Sequence, residues 1–214
     1  MKEKVKIAEA RNEENTFSNI KLHNYLFFKR VMDISLSVIA FLILMLPMII
    51  IGILIKIDSP GPVLFKQERL GTNGKPFMIY KFRSMKEDAE KDGPQWADKE
   101  DNRCTRIGKV LRKSRLDEFP QLINILRGDM SIVGPRPERE YFYKKFSEYI
   151  PDFRKRLRVQ PGLTGWAQVN GGYDLSPEEK LKYDLEYIEH RSILLDCKCI
   201  LKTVRLIFTH EGAR

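Results

Sequence analysis

Ile34 to Ile55 reads ISLSVIAFLILMLPMIIIGILI, 22 residues without a charge. As a straight helix it would span about 33 Å, the scale of a bilayer's hydrocarbon core. A buried core helix of this length would normally carry a polar face, and this run has none, so it reads as a membrane segment. Pro47 lies inside it and Gly52 follows, which predicts a kink or break, although spanning helices tolerate prolines. The flanks carry a second signal. The first thirty residues hold seven Lys/Arg against four Glu and end in Lys29-Arg30, while Lys56, Lys66, Arg69 and Lys75 follow the run. Both flanks therefore ask for the cytoplasmic side. A helix that enters, breaks at Pro47 and leaves by the same face satisfies both, whereas a simple span would place one basic flank outside. The expected organisation is a charged N-terminal extension over 1–28, a re-entrant membrane helix over 29–57 anchored by Lys29 and Arg30, and a body over 58–214. The run is too long, and the SPGP after it too unlike a small-residue cleavage site, for a removable signal peptide.

Composition narrows the partners. The 214 residues carry 38 Lys+Arg against 29 Asp+Glu, a formal charge of +9, which points to anionic ligands such as nucleic acid, anionic lipid or phosphorylated metabolites. Cys104, Cys197 and Cys199 are odd in number and lack the spacing of a disulfide framework or a zinc site. His23, His190 and His210 are scattered, so any metal should be held by oxygen ligands, with magnesium the natural candidate.

Arg112 to Pro137, RKSRLDEFPQLINILRGDMSIVGPRP, holds the chemistry. Asp117 and Glu118 precede an apolar set at Leu122, Ile123, Ile125 and Leu126 that suits one face of a short helix closed by Gly128. An Asp117 at the positive helix end, beside Arg112, Lys113 and Arg115, should stay ionised and could attack phosphorus. On local evidence alone the simpler reading of the same residues is a helix cap and a favourable first turn. Gly134-Pro135-Arg136-Pro137 holds an arginine between two prolines that fix its backbone, which suits bidentate phosphate binding or, just as simply, a turn with an exposed arginine.

Elsewhere the chain predicts an α+β fold, mostly helical with one small hairpin. Val63 to Arg69 and Lys75 to Arg83 read as strands around Thr72-Asn73-Gly74. Alternation places Lys81 and Arg83 on one face, as a basic site or as solvated side chains. Lys86 to Asn102, with Gly93-Pro94, reads as a polar surface loop or lid. From Pro137 to Gln160, Tyr141, Phe142, Tyr143, Phe146, Tyr149 and Phe153 mingle with Lys144, Lys145, Arg154, Lys155, Arg156 and Arg158. That mixture favours interfacial amphipathic helices divided at Pro151, with a buried pair in a globular body as the competing account. Ser176-Pro177-Glu178-Glu179 is a capping box with proline at the first helical position. A last helix is expected over about Ile193 to Thr209, with Lys198, Lys202 and Arg205 as a basic stripe.

Taken together these residues resemble the bacterial monotopic phosphoglycosyl transferases, the polyprenyl-phosphate sugar-1-phosphate transferases that initiate surface-glycan assembly. The resemblance covers about Lys29 to Phe208. It rests on Lys29-Arg30 before a proline-broken helix, SPGPVLFKQERLG, YKFRSM, LDEFPQLINIL, GDMSIVGPRP, and PGLTGWAQVNG from Pro161 to Gly171. It implies that Asp117 is nucleophile and magnesium ligand, and that Glu118 completes an Asp-Glu dyad as a second candidate ligand or as acceptor of the lipid phosphate's proton. Arg136 would bind phosphate, Lys81 and Arg83 would serve the diphosphate, and Gly162 to Asn170 would lie near the nucleotide. One departure is Gly172, where the family often carries an arginine.

The implied reaction moves a sugar-1-phosphate from a UDP-sugar to a polyprenol phosphate, through an aspartyl intermediate, at the cytoplasmic face of the bacterial inner membrane. The chain looks like the family's minimal catalytic unit, with no nucleic-acid partner and with a homodimer left open. The alternatives are direct transfer in a ternary complex and a non-catalytic, membrane-tethered basic module. The sugar is not named by the sequence.

Overall fold

The structure is a computed structural model that describes residues 2–89, 91, 93 and 101–209, with side chains described from Ile20 onward apart from residues 173 and 208. Much of the loop expected over Lys86 to Asn102, the side chains of most of the N-terminal extension, and His210 lie outside the described residues. The elements run α1 (Lys2–Asp58), β1 (Leu64–Leu70), β2 (Pro76–Phe82), α2 (Arg106–Ser114), α3 (Leu122–Arg127), β3 (Ser131–Val133), α4 (Glu140–Ser147), β4 (Gly162–Thr164), α5 (Trp166–Val169), α6 (Pro177–His190) and α7 (Ile193–Thr209). The fold is thus mostly helical with two small sheets, and α1 is long and apolar enough over Ile20–Asp58 to cross a membrane.

One face of α1 recurs every three or four residues against the body. Its first part is polar. Tyr25 and Lys29 reach Asp196 of α7 at 3.0 Å each, Arg30 donates to the Ile125 and Leu126 carbonyls at the end of α3 at 2.6 and 2.9 Å, and Asp33 accepts from the Ile132 N–H of β3 at 3.0 Å. Its second part is apolar. Ala40, Phe41 and Leu44 pack on Ile79, Leu122, Ile125 and Met130, and Met48, Ile51 and Ile55 pack with Phe82 and Leu111. The other faces stay bare, with Phe27, Leu42, Ile43, Leu46 and Ile57 all more than half exposed. From Tyr25 to Ile55 the helix therefore follows the body for roughly 45 Å.

One expectation changes here. The break at Pro47 does not interrupt α1, which carries Pro47 inside it. Packing on both sides of the proline fixes the helix axis, so the hydrogen bond lost there is tolerated. Lys29 and Arg30 tie α1 to the body through a buried aspartate and a helix end.

The hairpin forms where Asn-Gly predicts it. β1 and β2 pair antiparallel with Phe65 opposite Lys81, joined by a 3-10 turn in which Asn73 (φ 57°) and Gly74 (φ 77°) take left-handed conformations. Asn124, wholly buried, fastens α3 to this hairpin: its amide donates to the Met78 carbonyl at 2.7 Å and its oxygen accepts from the Tyr80 N–H at 3.1 Å. The capping box of α6 is present, with Ser176 accepting from Glu179 N–H and Glu179 from Ser176 N–H.

The aromatic stretch is core instead of membrane interface. Phe142, Tyr143, Phe146, Ile150, Phe153 and Leu157 form a buried cluster with Leu70 and Leu181, and only Tyr141 and Tyr149 of the aromatic set are strongly exposed. The basic residues mislead because one of them, Arg156, is itself buried. Its Nε lies 2.6 Å from Asp184 of α6, and its ring contacts are with Tyr143 and Phe153.

The parallel pairing of β3 with β4, Ser131 opposite Gly162 and Val133 opposite Thr164, had no sequence signal because each strand has three residues. It explains the glycines of both motifs. A Cβ on Gly134 would lie 2.3 Å from the Gln160 oxygen, and one on Gly162 would lie 2.1 Å from the Gly134 nitrogen, so only glycine lets the two backbones meet. The Gly134 N–H to Thr164 and Gly162 N–H to Pro135 bonds, 2.9 Å each, then fix the loop that carries Arg136.

Candidate active site

Asp117 and Glu118 do not start an α-helix. They lie in a 3-10 turn, Leu116–Gln121, that bridges α2 and α3, and the residue before the turn, Arg115, is left-handed at φ 59°, ψ 14°. For a non-glycine residue that conformation costs roughly 1 kcal/mol. The turn replaces the cap expected at Asp117. It leaves the Asp117 carboxylate without a hydrogen bond among the described residues and directs it into a cavity of about 220 Å³.

Glu118 has the opposite situation. Arg136 grips both its oxygens, Nη1 donating to Oε2 at 3.2 Å and Nη2 to Oε1, and Lys81 Nζ donates to Oε1 at 2.9 Å. Burial works to raise its pKa, but Arg136 and Lys81 outweigh that and hold the carboxyl well below the usual range. Such a group is a poor proton acceptor. Asp117, buried and beside the Glu118 charge, is pushed up to about 6, with Lys81, Arg136 and Arg112 opposing the rise. The nearby cations were expected to dominate, and burial instead sets the direction. Asp117 is still mainly ionised at neutral pH.

A first expectation follows. If the Asp117 carboxylate is the reacting group, the step it performs should be half-maximal in rate near pH 6 and fall about tenfold per unit below it. Single-turnover rates between pH 5 and 8 measure this, and a flat profile would remove Asp117 from that role.

The cavity gathers Asp117, Glu118 and Arg136 with Arg112 and Arg115. Its wall continues through Leu163, Thr164, Ala167 and Gln168 of the PGLTGWAQVNG stretch to Ile200, Thr203, Val204 and Ile207 of α7, with Gly172 also lining it. Arg136 is fixed from behind, since Arg156 Nη2 donates to its carbonyl at 3.1 Å. Arg83 is not brought to the cavity. It is buried and donates to the Ser59 and Pro60 carbonyls at 2.7 Å each and to Ser59 Oγ at 2.9 Å, closing the turn after α1. The strand expected through Arg83 ends one residue before it, at Phe82, and alternation could not foresee that the SPGP turn folds back over this arginine.

Arg156, Asp184 and the α7 wall were missed as site residues. A single arginine among six basic neighbours carries no local mark, and an aspartate on an amphipathic helix reads as surface.

No group of three or more His, Cys, Asp or Glu side chains that could hold a metal occurs among the described residues. Magnesium, however, is commonly held by one or two carboxylates together with substrate phosphates and water. The unbonded Asp117 carboxylate facing the cavity fits that donor set.

A buried carboxylate facing a cavity lined by Arg112, Arg115 and Arg136, in a body that carries a helix long and apolar enough to cross a membrane, is compatible with a monotopic membrane protein. The particular family follows from comparison: residues 24–210 match the bacterial sugar transferase family, and the chain belongs to it. It is 47% identical over 193 residues to a UDP-N-acetylgalactosamine-undecaprenyl-phosphate N-acetylgalactosaminephosphotransferase of Aeromonas hydrophila, across 89% of this chain and 46% of that protein. It is 40% identical over 190 residues to a UDP-glucose:undecaprenyl-phosphate glucose-1-phosphate transferase of Escherichia coli, across 86% of this chain and 41% of that protein. A protein of the same description from Caulobacter vibrioides is 40% identical over 192 residues, 71% of its length. The chain thus spans less than half of the first two relatives.

Proposed function

We propose that this chain transfers a sugar-1-phosphate from a UDP-sugar to undecaprenyl phosphate or a similar polyprenol phosphate, releasing UMP. The relatives' names support the reaction class, and the state of Asp117 carries the mechanism: an ionised carboxylate, free of hydrogen bonds among the described residues, faces a cation-lined cavity. An Asp117 oxygen attacks the β-phosphorus, the bond from that phosphorus to the bridging oxygen breaks, and UMP leaves with the electron pair. A polyprenol phosphate oxygen then attacks the same phosphorus, the phosphorus–Asp117 bond breaks, and the carboxylate is regenerated. Arg136 and Lys81, held by Glu118, present positive charge to the transferring group. Glu118 acts as the organiser of these two cations, not as a base. When bound, magnesium would supply further neutralisation of the diphosphate, held by Asp117.

The cavity's two halves support a soluble donor and a lipid acceptor. Its charged end suits phosphates, and its α7 wall of Ile200, Val204 and Ile207 is apolar. The contacts of α1 support a helix whose two basic flanks both stay at the cytoplasmic face of the inner membrane, without the break at Pro47 that re-entry was expected to need. Both ends of its apolar run touch the same body, and a crossing helix would carry one end away by about 30 Å.

The test is a lipid-free incubation with a panel of UDP-sugars. One UMP per active site and a sugar-phosphate mass adduct on the Asp117 peptide are expected, and the responding sugar names the donor. Release of UMP only after lipid is added, by active wild-type protein, would replace the covalent scheme with direct transfer.

A further inference from the structure

Glu138 stands two residues beyond Arg136 and lines the same cavity. Its backbone belongs to the fold, since its carbonyl accepts from the Leu70 N–H at 3.0 Å. Its side chain is only half used. Arg69 Nη1 donates to Oε2 at 3.1 Å, and Oε1 has no hydrogen-bond partner among the described residues. The same Arg69 nitrogen reaches the Pro137 carbonyl at 3.4 Å, so the carboxylate is held in place at the cavity wall. Its surroundings differ from those of Asp117. Arg112 and Arg136 act on Asp117, and that end suits phosphate. Around Glu138 two carboxylates stand against two cations: Glu138 acts electrostatically on Arg156 and Asp184, and Lys180, which also lines the cavity, acts on Asp184. The formal charges cancel there. A phosphate beside Glu138 would meet a carboxylate, whereas a neutral group rich in hydroxyls can donate to the carboxylates and accept from the cations. The wall leaves room for one, because a Cβ on the cavity-lining Gly172 would have nothing within 4 Å.

Resting on the proposed function, we propose that Glu138 recognises the transferred sugar, its free carboxylate oxygen accepting a hydrogen bond from a ring hydroxyl and so helping to set which UDP-sugar is used. The connectivity agrees. The sugar hangs from the β-phosphate by one oxygen, so with that phosphate between Asp117 and Arg136 the ring lies beside it. Two residues of chain put Glu138 at most about 7 Å from Arg136 along the backbone, a separation that one sugar ring can fill. A buried acceptor made for a hydroxyl also rejects the analogue that lacks it, which is how a single carboxylate can discriminate between sugars.

The test compares Glu138→Gln with wild type, as the full chain in detergent or nanodiscs, on the responding UDP-sugar and on its analogues lacking single hydroxyls. Wild type should discriminate against one of these analogues by about tenfold in kcat/KM, and Glu138→Gln should lose about tenfold on the parent UDP-sugar together with most of that discrimination. Inhibition by UMP, which lacks the transferred sugar, should be unchanged. Should the variant not fold, Glu138→Asp, which keeps the charge facing Arg69, gives the same readings. Full discrimination retained by an active variant would overturn the assignment. So would a loss of UMP affinity equal to the loss on the UDP-sugar, the result that a purely structural Arg69–Glu138 pair would produce. Wild-type protein that releases UMP from no UDP-sugar would instead overturn the proposed function, and this assignment with it.

Discussion

Asp117→Asn is expected to abolish sugar-phosphate transfer, by about a thousandfold or more, and at the same time to make the protein more stable. The two effects have one origin. Burial and the Glu118 charge push the Asp117 pKa from 3.8 to about 6, so at neutral pH the folded state holds an ion that it binds less well than water does. A rise of that size corresponds to about 3 kcal/mol. The sign is that of a raised carboxylate: the penalty is fully present above pH 6 and fades as pH falls toward 4, because the folded state takes up its proton first. Asparagine removes the charge at every pH. The variant's Tm should therefore exceed wild type's by several degrees at pH 7.5, and the gap should close by about pH 4. A variant less stable than wild type at pH 7.5, or one with normal turnover, would refute this account of the site.

The second large effect is at Asp184. Its carboxylate and the Arg156 guanidinium are both almost inaccessible, at 2% and 3% side-chain exposure. Burial opposes the Arg156 charge, and Asp184 more than compensates, so the arginine stays charged. Asp184→Ala leaves that cation in an aromatic core without its partner, a loss of about 3 to 5 kcal/mol, and thermal or urea unfolding should register it directly. The pair also holds the Arg136 carbonyl through Arg156. The double change Arg156→Met with Asp184→Leu should therefore regain much of the stability, because apolar side chains can replace a buried ion pair. It should not regain full transfer, since the Arg136 loop has lost its donor. Equal recovery of stability and activity would show that the pair serves only the core.

What short stretches of sequence could determine, they did. Asn73-Gly74 fixes the hairpin because its left-handed backbone is a local property, Ser176 and Glu179 start α6 by hydrogen bonds three residues apart, and the uncharged run makes α1. The proximity of Asp117, Glu118 and Arg136 was legible too, since a turn, a short helix and a proline-held loop separate them by fewer than twenty residues. Tertiary structure decided the rest, because each remaining question concerned what a side chain meets from far along the chain. Arg83 meets the carbonyls of Ser59 and Pro60 and leaves the site, while Lys81, two residues earlier, meets Glu118 and joins it. The aromatic residues between Pro137 and Gln160 become core because α6 covers them. Asp117 carries its pKa of about 6 because the assembled body removes water from it, and desolvation is a property of the surroundings that no local motif encodes.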